Sequence, residues 1–128
     1  MSTKSLWGDL TDIEIVRTPK EVLNEQANAL TEATKGVLVG SVTVREVPPK
    51  FIYDLDVSVP ALNNYTYTIL TITHEITLYP VRVTVAVTTR ARFETCENEE
   101  EFVHFLENLL SSKDVRFILS RLLSQASK

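Results

Sequence analysis

The apolar residues of this chain change period twice. Between Pro19 and Lys35 they recur at helical spacing: Leu23, Ala27 and Leu30 form one stripe, with Val22, Ala29 and Ala33 beside it. Thr18-Pro19-Lys20-Glu21 precedes that stripe with the chemistry of a capping box. The Thr18 hydroxyl accepts from the Glu21 N–H, Glu21 reaches back to Thr18, and Pro19 sits where a missing N–H costs nothing. Gly36 follows as a C-terminal cap, so the pattern predicts a helix over about residues 19–35. Upstream, Ile13, Ile15 and Val16 suit a short edge strand or an extended arm.

From Val37 to Thr95 the period is two. Val37–Val47 is rich in Val and Thr, and Pro48-Pro49 ends it because neither proline donates to a sheet ladder. Phe51, Tyr53, Leu55, Val57 and Val59 alternate with Ile52, Asp54, Asp56 and Ser58, the pattern of a strand buried on one face. Pro60 to Asn64 reads as a loop. Tyr65 to Tyr79 is too long for one typical strand. Either a turn near His74-Glu75 or a break at Tyr79-Pro80 divides it, with a bulge or bend at Pro80 in both cases. Val81, Val83, Val85 and Val87 alternate with Arg82, Thr84, Ala86 and Thr88.

Helical spacing then returns. Asn98 caps a stripe of Phe102, Leu106 and Leu109, with Glu101 three residues after the cap. Ser112 is positioned to cap a second stripe of Val115, Leu119 and Leu122, across a break that is either a turn or a kink. Consecutive strands without helices between them imply an antiparallel meander. The expected fold is α+β, a single domain over residues 1–128. It has a four- to five-stranded antiparallel sheet, an N-terminal helix and one or two C-terminal helices covering one face.

Composition narrows the function classes. The 128 residues carry a net charge of −4, which argues against a nucleic-acid partner. Cys96 is the one cysteine, so no internal disulfide is expected and a reducing compartment fits. The chain opens on Met-Ser-Thr-Lys-Ser and Trp7-Gly8-Asp9, not on an apolar run, and no stretch is long enough to span a membrane. A soluble, acidic, cytoplasmic protein is the expectation.

One short stretch spells a catalytic signature. Gly40-Ser41 followed by Asp54-Leu55-Asp56 resembles the signature of nucleotidyltransferases. The resemblance implies phosphate at Gly40-Ser41 and magnesium on Asp54 and Asp56, and Asp-x-Asp on a strand does put both carboxylates on one side. That family, however, sets its Gly-Ser pair at a strand-to-helix junction, where helix N–H groups face the phosphate. Here Val42–Pro49 follows, β-branched and closed by two prolines, and Val81–Ala91 supplies no third carboxylate. The alternative is a solvent-facing Asp54/Asp56 stripe opposite Tyr53, Leu55 and Val57.

His74 and His104 stand in no metal-ligand spacing, so no metal or cofactor is expected. Cys96 has acidic neighbours, the wrong field for a reactive thiolate. Glu97, Glu99, Glu100 and Glu101 suit a helix N-terminus. Arg82, Arg90 and Arg92 share one parity, and unbroken alternation would put them in a basic stripe away from the valines. With Tyr65 and Tyr67 they are the candidate partner-binding residues, since Arg and Tyr are favoured at interfaces. The resulting expectation is a non-enzymatic interaction module of immunity, adaptor or chaperone-like type, which binds another protein through a sheet face. A metal-dependent phosphoryl- or nucleotidyl-transfer enzyme using Asp54 and Asp56 is the first alternative. A small-ligand carrier is the second, and a homo-oligomer stays open.

Overall fold

In the computed structural model, residues 4–87 and 92–127 are described. Their order is helix, five strands, two helices: α1 (Pro19–Ala33), β1 (Val39–Val47), β2 (Lys50–Val59), β3 (Tyr65–His74), β4 (Val81–Val85), β5 (Arg92–Cys96), α2 (Glu99–Leu110) and α3 (Lys113–Ala126). Every strand pairs antiparallel with the next, giving the sheet order β1-β2-β3-β4-β5. The fold is the expected α+β meander. No described helix is long and apolar enough to cross a membrane.

The helix starts follow from caps. Thr18 Oγ1 accepts from the Glu21 N–H at 3.2 Å, and its own hydroxyl donates to the Glu21 carboxylate at 3.2 Å. The return contact of the box therefore runs through the hydroxyl. Asn98 Oδ1 accepts from the Glu101 N–H at 2.9 Å, and Glu101 in turn accepts from the Glu97 N–H. Ser112 Oγ accepts from the Val115 N–H, which makes 98–126 two helices with a turn between them. α1 ends two residues early, at Ala33, and Lys35 and Gly36 both take positive φ. The Gly36 N–H returns to the Thr31 carbonyl at 2.9 Å and closes the end. Thr18→Ala should cost about 1 kcal/mol. Urea melts that coincide with wild type would show that this cap contributes nothing.

The core lies between one face of the sheet and the three helices. Tyr53, Leu55, Val57 and Val59 of β2 meet Leu70 and Ile72 of β3, Val81, Val83 and Val85 of β4, and Leu23, Phe102, Leu106 and Val115 of the helices. β3 ends at His74, so the turn near His74-Glu75 is the one adopted. Pro80 lies in a bend, as expected, and a register shift occurs in addition within β3. Leu55 faces Leu70 and Asp56 faces Thr68, which leaves Ile69 as a bulge in β3. β4 stops at Val85 and β5 begins at Arg92, so Val81–Thr95 is a hairpin and not one strand.

Candidate interaction surface

Residues directly opposed across antiparallel strands point to the same face. The face of the sheet away from the helices can therefore be read from the register. One row is Thr43, Asp54, Thr71, Thr84 and Phe93; the next is Arg45, Ile52, Thr73, Arg82 and Thr95; Ser41, Asp56 and Thr68 form a third. β-branched threonine suits a pleated surface and leaves a hydroxyl free to bond sideways.

Those hydroxyls close on the two aspartates. Thr43 donates to Asp56 Oδ2 at 2.7 Å and Thr68 to Asp56 Oδ1 at 2.7 Å, so both oxygens are taken by flanking strands. Asp56 is only 7% exposed, although none of the described helices lies on this side. Asp54 Oδ1 accepts from Thr71 at 2.6 Å and from the Arg45 guanidinium at 3.0 Å. Buried carboxylates need such donors. No group of three or more potential ligands for a metal occurs among the described residues.

Gly40 and Ser41 lie inside β1, not at a strand-to-helix junction. The Gly40 N–H donates to the Thr31 hydroxyl at 2.9 Å, and Thr31 donates on to the Ala27 carbonyl. The missing side chain of Gly40 is filled by α1: a Cβ there would meet the Ala27 carbonyl oxygen, with Ala27 Cα at 2.7 Å. The glycine makes room for helix backbone where the resemblance would have it make room for phosphate.

The four described candidate residues do not share one surface. Arg82 lies on the open face, opposite Thr73 and Thr95. Arg92 does not, because it opposes Val85 and its guanidinium sits 5.4 Å over the Phe105 ring on the helix side. The parity argument fails because the chain reverses between the two arginines. Arg90 lies outside the described residues. Tyr65 and Tyr67 oppose Val59 and Val57, so they face the helices and line a cleft with Ile118, Arg121 and Leu122. Tyr79 packs edge-on against Phe102. Phe93 takes the place that Arg92 vacates: it is 72% exposed on the open face, opposite Thr84.

The remaining reactive groups are shut away or solvated. Cys96 is buried, and that burial, with Glu94, Glu101 and Glu97 nearby, pushes its thiol up to about 11. Burial, then Glu99 and Cys96, pushes the Tyr79 phenol up to about 12. His74 is buried, stacked on Phe51, with Nδ1 2.7 Å from the Glu75 carbonyl oxygen. His104 is exposed on α2, within 3.2 Å of the Asn108 amide. Glu99 forms a 3.5 Å ion pair with Arg17. No protein-family model, curated protein or solved structure matches the chain.

Proposed function

We propose that the protein is a small, non-enzymatic interaction module that binds another protein through the open face of its sheet. The observation that carries this reading is a sheet face with none of the described helices over it and with Asp54 and Asp56 already tied by neighbouring side chains. What remains available is Arg82, without an ion pair among the described residues, beside exposed Phe93, Thr84 and Thr95. An arginine, an aromatic and a ring of hydroxyls form a surface suited to a partner that supplies an apolar contact and a carboxylate. The lone buried thiol suits a reducing, cytoplasmic setting. An immunity, adaptor or chaperone-like role is the class of work that fits.

The test is a tagged pull-down from native extract with wild type and with Arg82→Glu/Phe93→Ser. Both side chains are solvent-exposed, so the variant should melt with wild type. It should lose the protein that wild type captures. Equal recovery of that protein by a folded variant would move the binding surface off this face.

A further inference from the structure

The largest exposed apolar segment is the N-terminal arm, residues 4–17. It forms no strand or α-helix: the chain bends at Trp7, where Gly8 follows with a positive φ, and makes one short 3-10 turn at Leu10–Asp12. Leu6 is 91% exposed, Trp7 80% and Ile15 93%, with Leu10, Ile13 and Val16 also exposed. Single exposed apolar residues are ordinary, but six in one short segment mark a contact surface.

A matching recess lies on the helix side of the same chain. α1 contributes Gln26, Ala27, Ala29 and Leu30 to it, and α3 contributes Val115 and Leu119. A furrow of about 230 Å³ opens between them, with Leu30, Leu55, Val57, Ile69, Leu110 and Leu119 on its walls and floor. Gln26 and Leu110 also line an adjoining cleft, whose charged residues are Arg17, Glu107 and Arg116.

Charge selects the occupant. Residues 4–16 set Lys4 against Asp9, Asp12 and Glu14. The Thr11 hydroxyl and N–H both donate to Asp9, which holds its carboxyl below the usual range. Among the helices, α1 sets Lys20 against Glu21, Glu25 and Glu32, and α2 carries four glutamates and no Lys or Arg. Only α3 is basic, with Lys113, Arg116 and Arg121 against Asp114. Arg116, which lines the adjoining cleft, forms no ion pair among the described residues, and the Arg17 of that cleft is already paired with Glu25 and Glu99.

We infer that the N-terminal arm of one copy docks in the helix-side furrow of a second copy, with Trp7 and its apolar neighbours against Leu30, Leu55 and Leu119 and the arm's acids toward Arg116. The arm of the same chain is disfavoured as occupant. Although its root at Arg17 lines the cleft, the arm stands outside its own furrow, with Leu6, Trp7 and Ile15 each at least 80% exposed. Extended, thirteen residues span roughly 40 Å, enough to cross to a neighbour. Two arms in two furrows close a two-fold dimer in which each contact occurs twice. This surface lies on the opposite side of the sheet from the open face and does not depend on the reading above.

Trp7 is the single tryptophan, so its fluorescence reports the arm. In sedimentation equilibrium the full chain should dimerise with concentration. Trp7 emission should move to the blue with the same midpoint and return to the red on dilution. Arg116→Glu should raise the dissociation constant about tenfold or more, and adding Asp12→Lys to it should recover much of the loss. Trp7→Ser should be a monomer at every concentration, read by sedimentation alone. Four results overturn the inference: a wild-type monomer with red emission; a monomer with blue emission, which places the arm in its own furrow; a dimer indifferent to Trp7→Ser and Arg116→Glu; or equal uptake of an apolar dye, 1-anilinonaphthalene-8-sulfonate, by wild-type dimer and Trp7→Ser, which leaves the furrow open to small ligands.

Discussion

Gly40→Ala is expected to lower stability by about 3 kcal/mol, and Gly40→Val by more. Gly40 opposes Val57, so its side chain would point toward α1. The helix backbone stands where that side chain would go, with Ala27 Cα at 2.7 Å and Ala27 C at 2.8 Å from a Cβ built there. Carbon atoms rest at about 3.5–4.0 Å. Backbone cannot swing aside as a flexible side chain can, so α1 must back away from β1. That shift breaks the Gly40 N–H bond to Thr31 and loosens Val22, Leu23 and Ala27, which α1 contributes to the core. Thermal melts of the two variants against wild type read the effect. Wild-type melting of Gly40→Val would mean that α1 does not lie against β1. The contrast with a phosphate-binding glycine is direct, because there the loss would fall on ligand affinity.

How much of this was legible from sequence depends on whether the signal was local. α1 and α2 were, because Thr18 with Glu21 and Asn98 with Glu101 carry their caps within four residues. The sidedness of Asp54 and Asp56 was as well, because β2 alternates through both. The β4–β5 hairpin was not. Residues 86–91 read Ala-Val-Thr-Thr-Arg-Ala, without a Gly, Pro, Asn or Asp to mark a turn, so Arg92 took the parity of Arg82. The bulge in β3 did leave a trace. Tyr65 and Tyr67 sit on the core side at odd positions, whereas Leu70, Ile72 and His74 sit there at even ones. The adjacent Ile69-Leu70 pair is the seam where the phase flips, because a bulge lets two successive side chains be buried together. Register was the hardest to read. Nothing near Asp56 in sequence says that Thr43 and Thr68 bracket it, since that depends on how three strands slide against one another. Ile13, Ile15 and Val16 suit an edge strand or an arm equally by pattern, and the arm's exposure depends on what the folded body leaves uncovered.

Thr43→Val/Thr68→Val should destabilise the fold by about 3 kcal/mol at neutral pH. Each substitution keeps the shape of the side chain and removes one hydroxyl donor from Asp56. Hydrogen bonds to a charged group are worth about 1.5–3 kcal/mol, and stripping a nearly buried carboxylate of both leaves its desolvation uncompensated. Each single variant should lose less than half as much, since the remaining hydroxyl still serves the carboxylate. The control is the triple variant with Asp56→Leu. Removing the charge together with its donors should recover most of the loss, because an apolar trio of similar volume no longer needs solvation. Urea melts of the four variants against wild type read the cycle. If the double variant melts with wild type, the threonines do not hold Asp56. If Mg²⁺ instead raises the wild-type melting temperature and leaves the double variant unchanged, the cluster is a metal site, since a ligand bound only by the folded state stabilises it. The geometry points the other way: both Asp56 oxygens are already engaged, and Asp54 already has a guanidinium at 3.0 Å as its counter-charge.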